Sequence, residues 1–329
     1  MAVFAGTPAR GQFSVFLVEA RFLPPRGSVL TCADMASRAK QIFVFLLLAF
    51  GFSCLPYFLI VHSGHVLVGN GLGAALIMWC PGLAAIVTCA LLRIDVASLG
   101  WNWRPTRYQV WSYVIPILYA LPVYVGVWVL IRGSFSFGEF ANETGAAFGF
   151  PHHATAATLL LGIPAYATIG VIGGMARTLG EEIGWRGFLL PRLVAQSGFT
   201  WGCVLSGCIW AVWHYPVLLF ADYNAGTRPA YALACFTLMV IAAAFIWGWL
   251  RLKSGSVWTS AILHASHNAF IQVIFDGMTK PVGRTLYITT EFGAGLVVTM
   301  WVVALYFWTR RGEVTSMRNP VAHEAVSQL

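Results

Sequence analysis

Residues 41–62 read QIFVFLLLAFGFSCLPYFLIVH, and they decide the fold. The stretch contains no Asp, Glu, Lys or Arg. About 20 such residues wound as a helix cross the ~30 Å hydrocarbon slab of a bilayer. Inside that slab the backbone must satisfy its own hydrogen bonds, which a helix does within a single segment. Moving outward, comparable apolar runs recur at about 73–93, 109–131, 155–175, 199–221, 230–250, 255–276 and 288–309. The prediction is an all-α, polytopic transmembrane helical bundle of about eight spans. The segment 176–197 is more polar and is expected to prolong the fourth span as a helix ending near Gly198. Pro56, Pro81, Pro116, Pro122 and Pro164 fall inside spans and are expected to kink them.

Composition agrees with this reading. Of the 329 residues 58% are hydrophobic and 10% charged, and the mean hydropathy is +0.74. Soluble domains carry about 25% charged residues. The 14 Trp and 11 Tyr suit the aromatic belts at the two membrane surfaces. Seven Cys, at 32, 54, 80, 89, 203, 208 and 235, form no CxxC pair and lie mostly in apolar runs, where they read as small apolar filler. The net charge is +8, but no basic cluster is interleaved with aromatics, so the excess does not read as nucleic-acid binding.

It reads instead as topology. With a cytoplasmic N-terminus, the inner side receives Arg10, Arg21, Arg26, Arg38, Lys40, Arg93, Arg104, Arg107, Arg177, Arg186, Arg192, Arg251, Lys253, Arg310, Arg311 and Arg318. The outer side receives Arg132, Arg228, Lys280 and Arg284. Sixteen against four supports eight spans with both termini cytoplasmic. Residues 1–34 are irregular and read as a disordered extension or a mis-assigned start, since Met35 opens a second plausible beginning. Residues 35–311 then form the membrane domain and 312–329 a cytoplasmic tail. Asn142-Glu143-Thr144 matches a glycosylation sequon, a pattern too short to carry weight.

Against this background a few polar residues stand out. Of twelve acids, most lie in loops or tails, and Glu291 falls at the edge of the last span. Glu181 and Glu182 are the exceptions, adjacent on the helix that prolongs the fourth span. A carboxylate near the bilayer centre costs about 2.5–3.5 kcal/mol on insertion scales, and two side by side repel. Arg186 lies one turn after Glu182, in reach of an ion pair. Glu181 points about 100° away around the helix, so it is left for other work. Gly180, Gly184 and Gly187 offer small surface for close helix approach.

His214, His264 and His267 also lie within spans. Trp210 and His214 share one face of the fifth, and His264 and Asn268 share one face of the seventh. His267 reads as structural or cavity-lining. Three helices therefore present polar faces that could meet in one wet cavity. The set holds no strong nucleophile: Ser206 is the nearest candidate and has no credible base arrangement. Activated-water hydrolysis fits better. Glu181 would be general base, His214 would hold the water, and His264 and Asn268 would donate to the oxyanion. Glu181, His214 and His264 also resemble an open zinc site, but no His-Glu-x-x-His pair is present. Metal-free chemistry is the expectation and zinc the alternative.

These residues fall into a known pattern. Glu181 to Leu189, EEIGWRGFL, resembles the EExxxR signature of the CPBP family, the CAAX proteases and bacteriocin-processing enzymes. Ser206 to Pro216, SGCIWAVWHYP, resembles its FxxxH motif, with Trp210 in place of Phe. Ala261 to Asn268, AILHASHN, resembles its third motif. The resemblance covers about 155–275 and implies a multi-helix intramembrane endopeptidase cutting near the C-terminus of a peptide or lipidated protein. It implies that Glu181 and His214 activate water, that His264 and Asn268 stabilise the oxyanion, and that Glu182 and Arg186 support them. Membrane lipid is the expected surrounding partner, and the charge around 176–198 predicts a site toward the cytoplasmic leaflet. The alternative is a non-catalytic immunity or scaffold protein of the same fold. A proton-coupled transporter is weaker, since no paired half-repeats occur.

Overall fold

A computed structural model describes residues 32–103, 105–152, 154–224 and 226–315. The expectations for residues 1–31, Arg104, His153 and the tail from 316 lie outside these residues. Among the described residues the fold is helical throughout, apart from one isolated bridge between Phe135 and Thr279.

The helices are α1 (Cys32–Ser63), α2 (Leu72–Leu91), α3 (Thr106–Leu130), the short α4 (Phe137–Phe148), α5 (residues 155–197), α6 (residues 199–220), α7 (Pro229–Ser254), α8 (residues 257–275) and α9 (Ala294–Thr309). Apart from α4, each overlaps one of the eight predicted segments. Five helical segments are long and apolar enough to cross a membrane, the fourth being the joined run Thr155–Phe220. That run divides at Gly198, where φ is 79° and ψ is 170°, a conformation open to glycine and strained for other residues. The predicted helical extension to Gly198 is therefore observed. The last helix begins at Ala294 rather than 288. The short α4, which the sequence reading did not foresee, carries Asn142.

The helices run through their prolines. In α5, π-helical turns at Thr158–Gly162 and Tyr166–Gly170 flank Pro164. Proline lacks an amide donor, so the i→i−4 ladder is already interrupted there and a wider turn costs less. Two further π-helical stretches occur at the polar motifs, Ile183–Leu189 within the first and Asn268–Phe275 starting at the last residue of the third.

Packing sorts apolar side chains by face. Phe43, Leu47 and Phe58 of α1, Leu160 and Ile172 of α5, and Val298, Val302 and Leu305 of α9 are exposed, as on a lipid-facing surface. Helix α7 lies at the centre: 72% of its most apolar window is buried, against 28% for α1. The predicted close approach at small residues occurs between α5 and α2. A Cβ on Gly180 would stand 2.7 Å from the Met78 carbonyl oxygen, and one on Gly184 2.5 Å from Pro81. This contact fixes the depth of the neighbouring Glu181 and Glu182.

Contacts at the helix ends fall into two sets, as alternating helices require. At one end Arg38 donates to the Ala195 carbonyl, Arg192 to Gln41, and Arg251 to the Leu99 carbonyl. At the other, His65 pairs with Asp222 and Lys280 with Glu139, while Tyr231 donates to the Tyr287 carbonyl. The first set gathers the sequence's basic residues.

Six cysteines are described, all free, and four of them are buried.

Candidate active site

Helix α5 carries Glu181 and Glu182 into the bundle, where they are 2% and 0% exposed. Glu182 Oε1 accepts from Arg186 Nη1 at 3.0 Å and from His264 Nδ1 at 2.9 Å. The ion pair with Arg186 is the expected one, four residues along the helix. The bond to His264 ties α5 to α8. An ionised carboxylate only accepts, so the proton of this imidazole sits on Nδ1. Glu182 thus fixes the ring, and in the protonated imidazole Nε2–H is a second donor.

Glu181 takes a different partner, its Oε2 accepting from the Trp210 indole Nε1 at 2.8 Å. The Trp210 ring lies under the Arg186 guanidinium, whose central carbon is 3.8 Å from the ring centroid. Trp210 stands edge-on to His264 at 5.6 Å and to His214 at 5.7 Å. One indole therefore separates the free carboxylate from both imidazoles.

His214, half-buried on α6, directs Nδ1 at the Trp210 carbonyl at 2.9 Å. A carbonyl only accepts, so Nδ1 carries the proton and Nε2 keeps a lone pair. The preceding residue anchors this turn to α1, where the Trp213 indole donates to Ser53 at 2.8 Å and Tyr57 donates to the Trp213 carbonyl.

His214 and His264 border one cavity together with Trp210, Tyr223, His267 and Glu291. Its opposite wall is one face of α7, Phe236, Met239, Val240, Ala243 and Trp247. About 20 Å³ is open to the centre of a water-sized sphere. That is room for one water-sized molecule beside the imidazoles and Glu291. Glu181 is not among the bordering residues and reaches the cavity's edge through Trp210. Asn268 is half-buried at the first residue of a π-helical stretch and also does not border the cavity. The structure thus gathers Glu181, Glu182, Arg186, His214 and His264, and leaves Asn268 aside.

Sequence reading missed a second carboxylate network on the same cavity. His267 Nε2 donates to Glu291 Oε1 at 2.8 Å, and Tyr119 Oη meets His267 Nδ1 at 2.5 Å. Glu291 Oε2 accepts from Tyr223 at 2.7 Å and from Gln272 at 2.8 Å. Glu291 is only 6% exposed. The signal was present, since Glu291 lies within the apolar run LYITTEFGAGLVV, but its place at a segment edge read as interfacial.

Gly180 packs on Met78 and Trp79, near the start of α2, and His214 sits six residues before the end of α6. Tyr223 and Glu291 belong to turns at the sparsely basic end. Of the basic residues at 176–198, Arg186 lies in the site itself, paired with Glu182, while Arg192 lies further along α5 and donates to Gln41 of α1.

Zinc on Glu181, His214 and His264 was the alternative occupant. Among the described residues no three His, Cys, Asp or Glu side chains gather to hold an ion. Each of the three also has a polar atom engaged elsewhere.

Two comparisons bear on this site. Residues 163–270 match the family described as "Type II CAAX prenyl endopeptidase Rce1-like". Over 77 residues the chain is 26% identical to "CAAX prenyl protease 2" of Methanococcus maripaludis, an alignment covering 22% of this chain and 28% of that relative. The matched segment holds all three polar motifs and most of the cavity wall. Its agreement with the motifs supports assigning the chain, through residues 163–270, to the CPBP family.

Proposed function

We propose that this protein is an integral membrane endopeptidase that hydrolyses a peptide bond near the C-terminus of a peptide or lipidated protein, using water activated by Glu181. The observation that carries the reading is the meeting of His214 and His264 on one water-sized cavity, with Glu181 held against its indole wall. Glu181 takes a proton from water as general base. His214 Nε2 accepts a hydrogen bond from that water and orients it. Attack on the amide carbonyl builds negative charge on oxygen. His264 Nε2–H, kept available by Glu182 at Nδ1, donates to that oxyanion, with Asn268 as second donor. Asn268 must turn toward the cavity for this, from its half-buried place at the start of the π-helical stretch. The proton on Glu181 then passes to the leaving amine. The apolar face of α7 receives the side chain flanking the scissile bond.

The same reading keeps both termini cytoplasmic and the site toward the cytoplasmic leaflet, inside the bundle and away from most bulk water. Low local polarity makes each fixed donor worth more. No metal-dependent step is required by these residues.

The test is direct. Purified protein is incubated with a panel of farnesylated and unmodified peptides, beside Glu181→Gln. Cleavage by the native protein and its loss in the variant support the proposal. Cleavage at full rate by the variant, or loss on chelation with recovery on zinc alone, overturns it.

A further inference from the structure

We infer that Trp210 is a positioning residue for the Glu181 carboxylate, acting through its indole N–H. The inference rests on the proposed role of Glu181 as base. Trp210 touches every polar group that role involves. Its Nε1 donates to Glu181 at 2.8 Å, its ring carries the Arg186 guanidinium at 3.8 Å, and its carbonyl receives His214 Nδ1 at 2.9 Å. Its edge meets His264 at 5.6 Å.

The motif that this stretch resembles has Phe at this position. A phenyl ring would keep the packing and the cation over the π-face, but it has no donor. Among the described residues the indole N–H is the side-chain donor that reaches Glu181. A glutamate's terminal torsion is broad, so a carboxylate without a partner rotates freely about it. A base that must meet one bound water within about 0.5 Å loses rate when it turns. The cation over the ring face also draws electron density from the indole and sharpens the N–H as a donor. In this chain the larger aromatic residue therefore does more than fill space: it fixes which carboxylate oxygen is tied down and which is free.

The experiment replaces Trp210 in the full-length protein with 3-benzothienylalanine, whose sulfur takes the place of the N–H at nearly the same shape. Trp210→Phe is measured in parallel. The expected result is a fall in kcat of about tenfold or more for both, from losing one hydrogen bond to a charged group. KM should stay within about twofold. Native kcat in the sulfur analogue beside a loss in Trp210→Phe would assign Trp210 to packing alone and overturn the inference. A change in KM alone would do the same. An infrared carboxylate band, assigned by its loss in Glu181→Gln, reads the contact without substrate. It should shift in the analogue, and an unmoved band overturns the inference even if no peptide in the panel is cut. A cleaving Glu181→Gln variant sinks the proposed base instead, so the two failures are distinguishable.

Discussion

Two carboxylate-centred networks flank the cavity, one lining it through Glu291 and one set behind Trp210 and His264, and these two walls are finished differently. On the Glu291 wall every valence is used: His267 is bonded at both nitrogens, and Glu291 accepts from His267, Tyr223 and Gln272. On the Glu182 wall, Glu182 Oε2, Arg186 Nε and Arg186 Nη2 are buried without a partner, and Glu181 takes a single indole donor. Satisfied buried networks rigidify a core, whereas unsatisfied groups retain capacity for a substrate or water. The lesson is that burial and charge alone do not identify a reacting acid. The Glu291 wall ties the turns at 221–224 and 289–293 to α8, and so holds the cavity open at that end. The Glu181–Glu182 wall keeps hydrogen-bonding capacity that no side chain fills.

The contrast can be broken by experiment. The largest effect is expected from Glu181→Gln, with kcat falling about 10²–10⁴-fold, the usual contribution of a general base. A circular dichroism spectrum like the native one should accompany it. Next comes Glu182→Gln. It leaves the Arg186 guanidinium, 0% exposed, without its counter-charge, and removing one partner of a buried pair costs about 3–5 kcal/mol. Thermal unfolding in detergent should drop markedly, and activity should fall with it as His264 loses its anchor.

Glu291→Gln is expected to cost less, about 1–3 kcal/mol for a changed buried hydrogen bond, with kcat reduced less than tenfold. A native melting temperature beside a thousandfold lower kcat would overturn the division between the two walls and make Glu291 a reacting group. The smallest effect belongs to the surface latch. Burial raises the Asp222 carboxyl, but the Val66 amide and the His65 ring outweigh it and hold the group below its ordinary range. A carboxyl lowered on folding stabilises above its unfolded pKa of about 3.9, and that gain is lost as pH falls through the folded value. Native protein and Asp222→Asn should therefore differ slightly in melting temperature at neutral pH and converge in acid. A gap that widens in acid would contradict this.

Much of this was legible in one dimension. Runs such as 41–62 are long, apolar and free of charge, and in lipid such a run has no alternative to a helix. The pair Glu182 and Arg186 could be joined from helical periodicity alone, and the close approach at Gly180 and Gly184 followed from residue size. What the sequence does not show is the contact that ties the site together, since Trp210 reads there only as a larger aromatic in place of Phe. Its hydrogen bond to Glu181 spans 29 residues and depends on how α6 packs against α5. Glu291 was set aside because its position at a segment edge suggested water, and whether an edge residue is wet depends on what folds over it.

The sequence by itself determined that this is a helical membrane protein with three polar motifs that resemble those of one family, because hydrophobic length and residue order are properties of the chain. Tertiary structure alone decided which polar atoms meet. It sent His264 to Glu182 and Trp210 to Glu181, and it closed His267 and Glu291 into a satisfied network. Those pairings depend on interhelical distances of a few ångströms, which periodicity along a single helix does not contain.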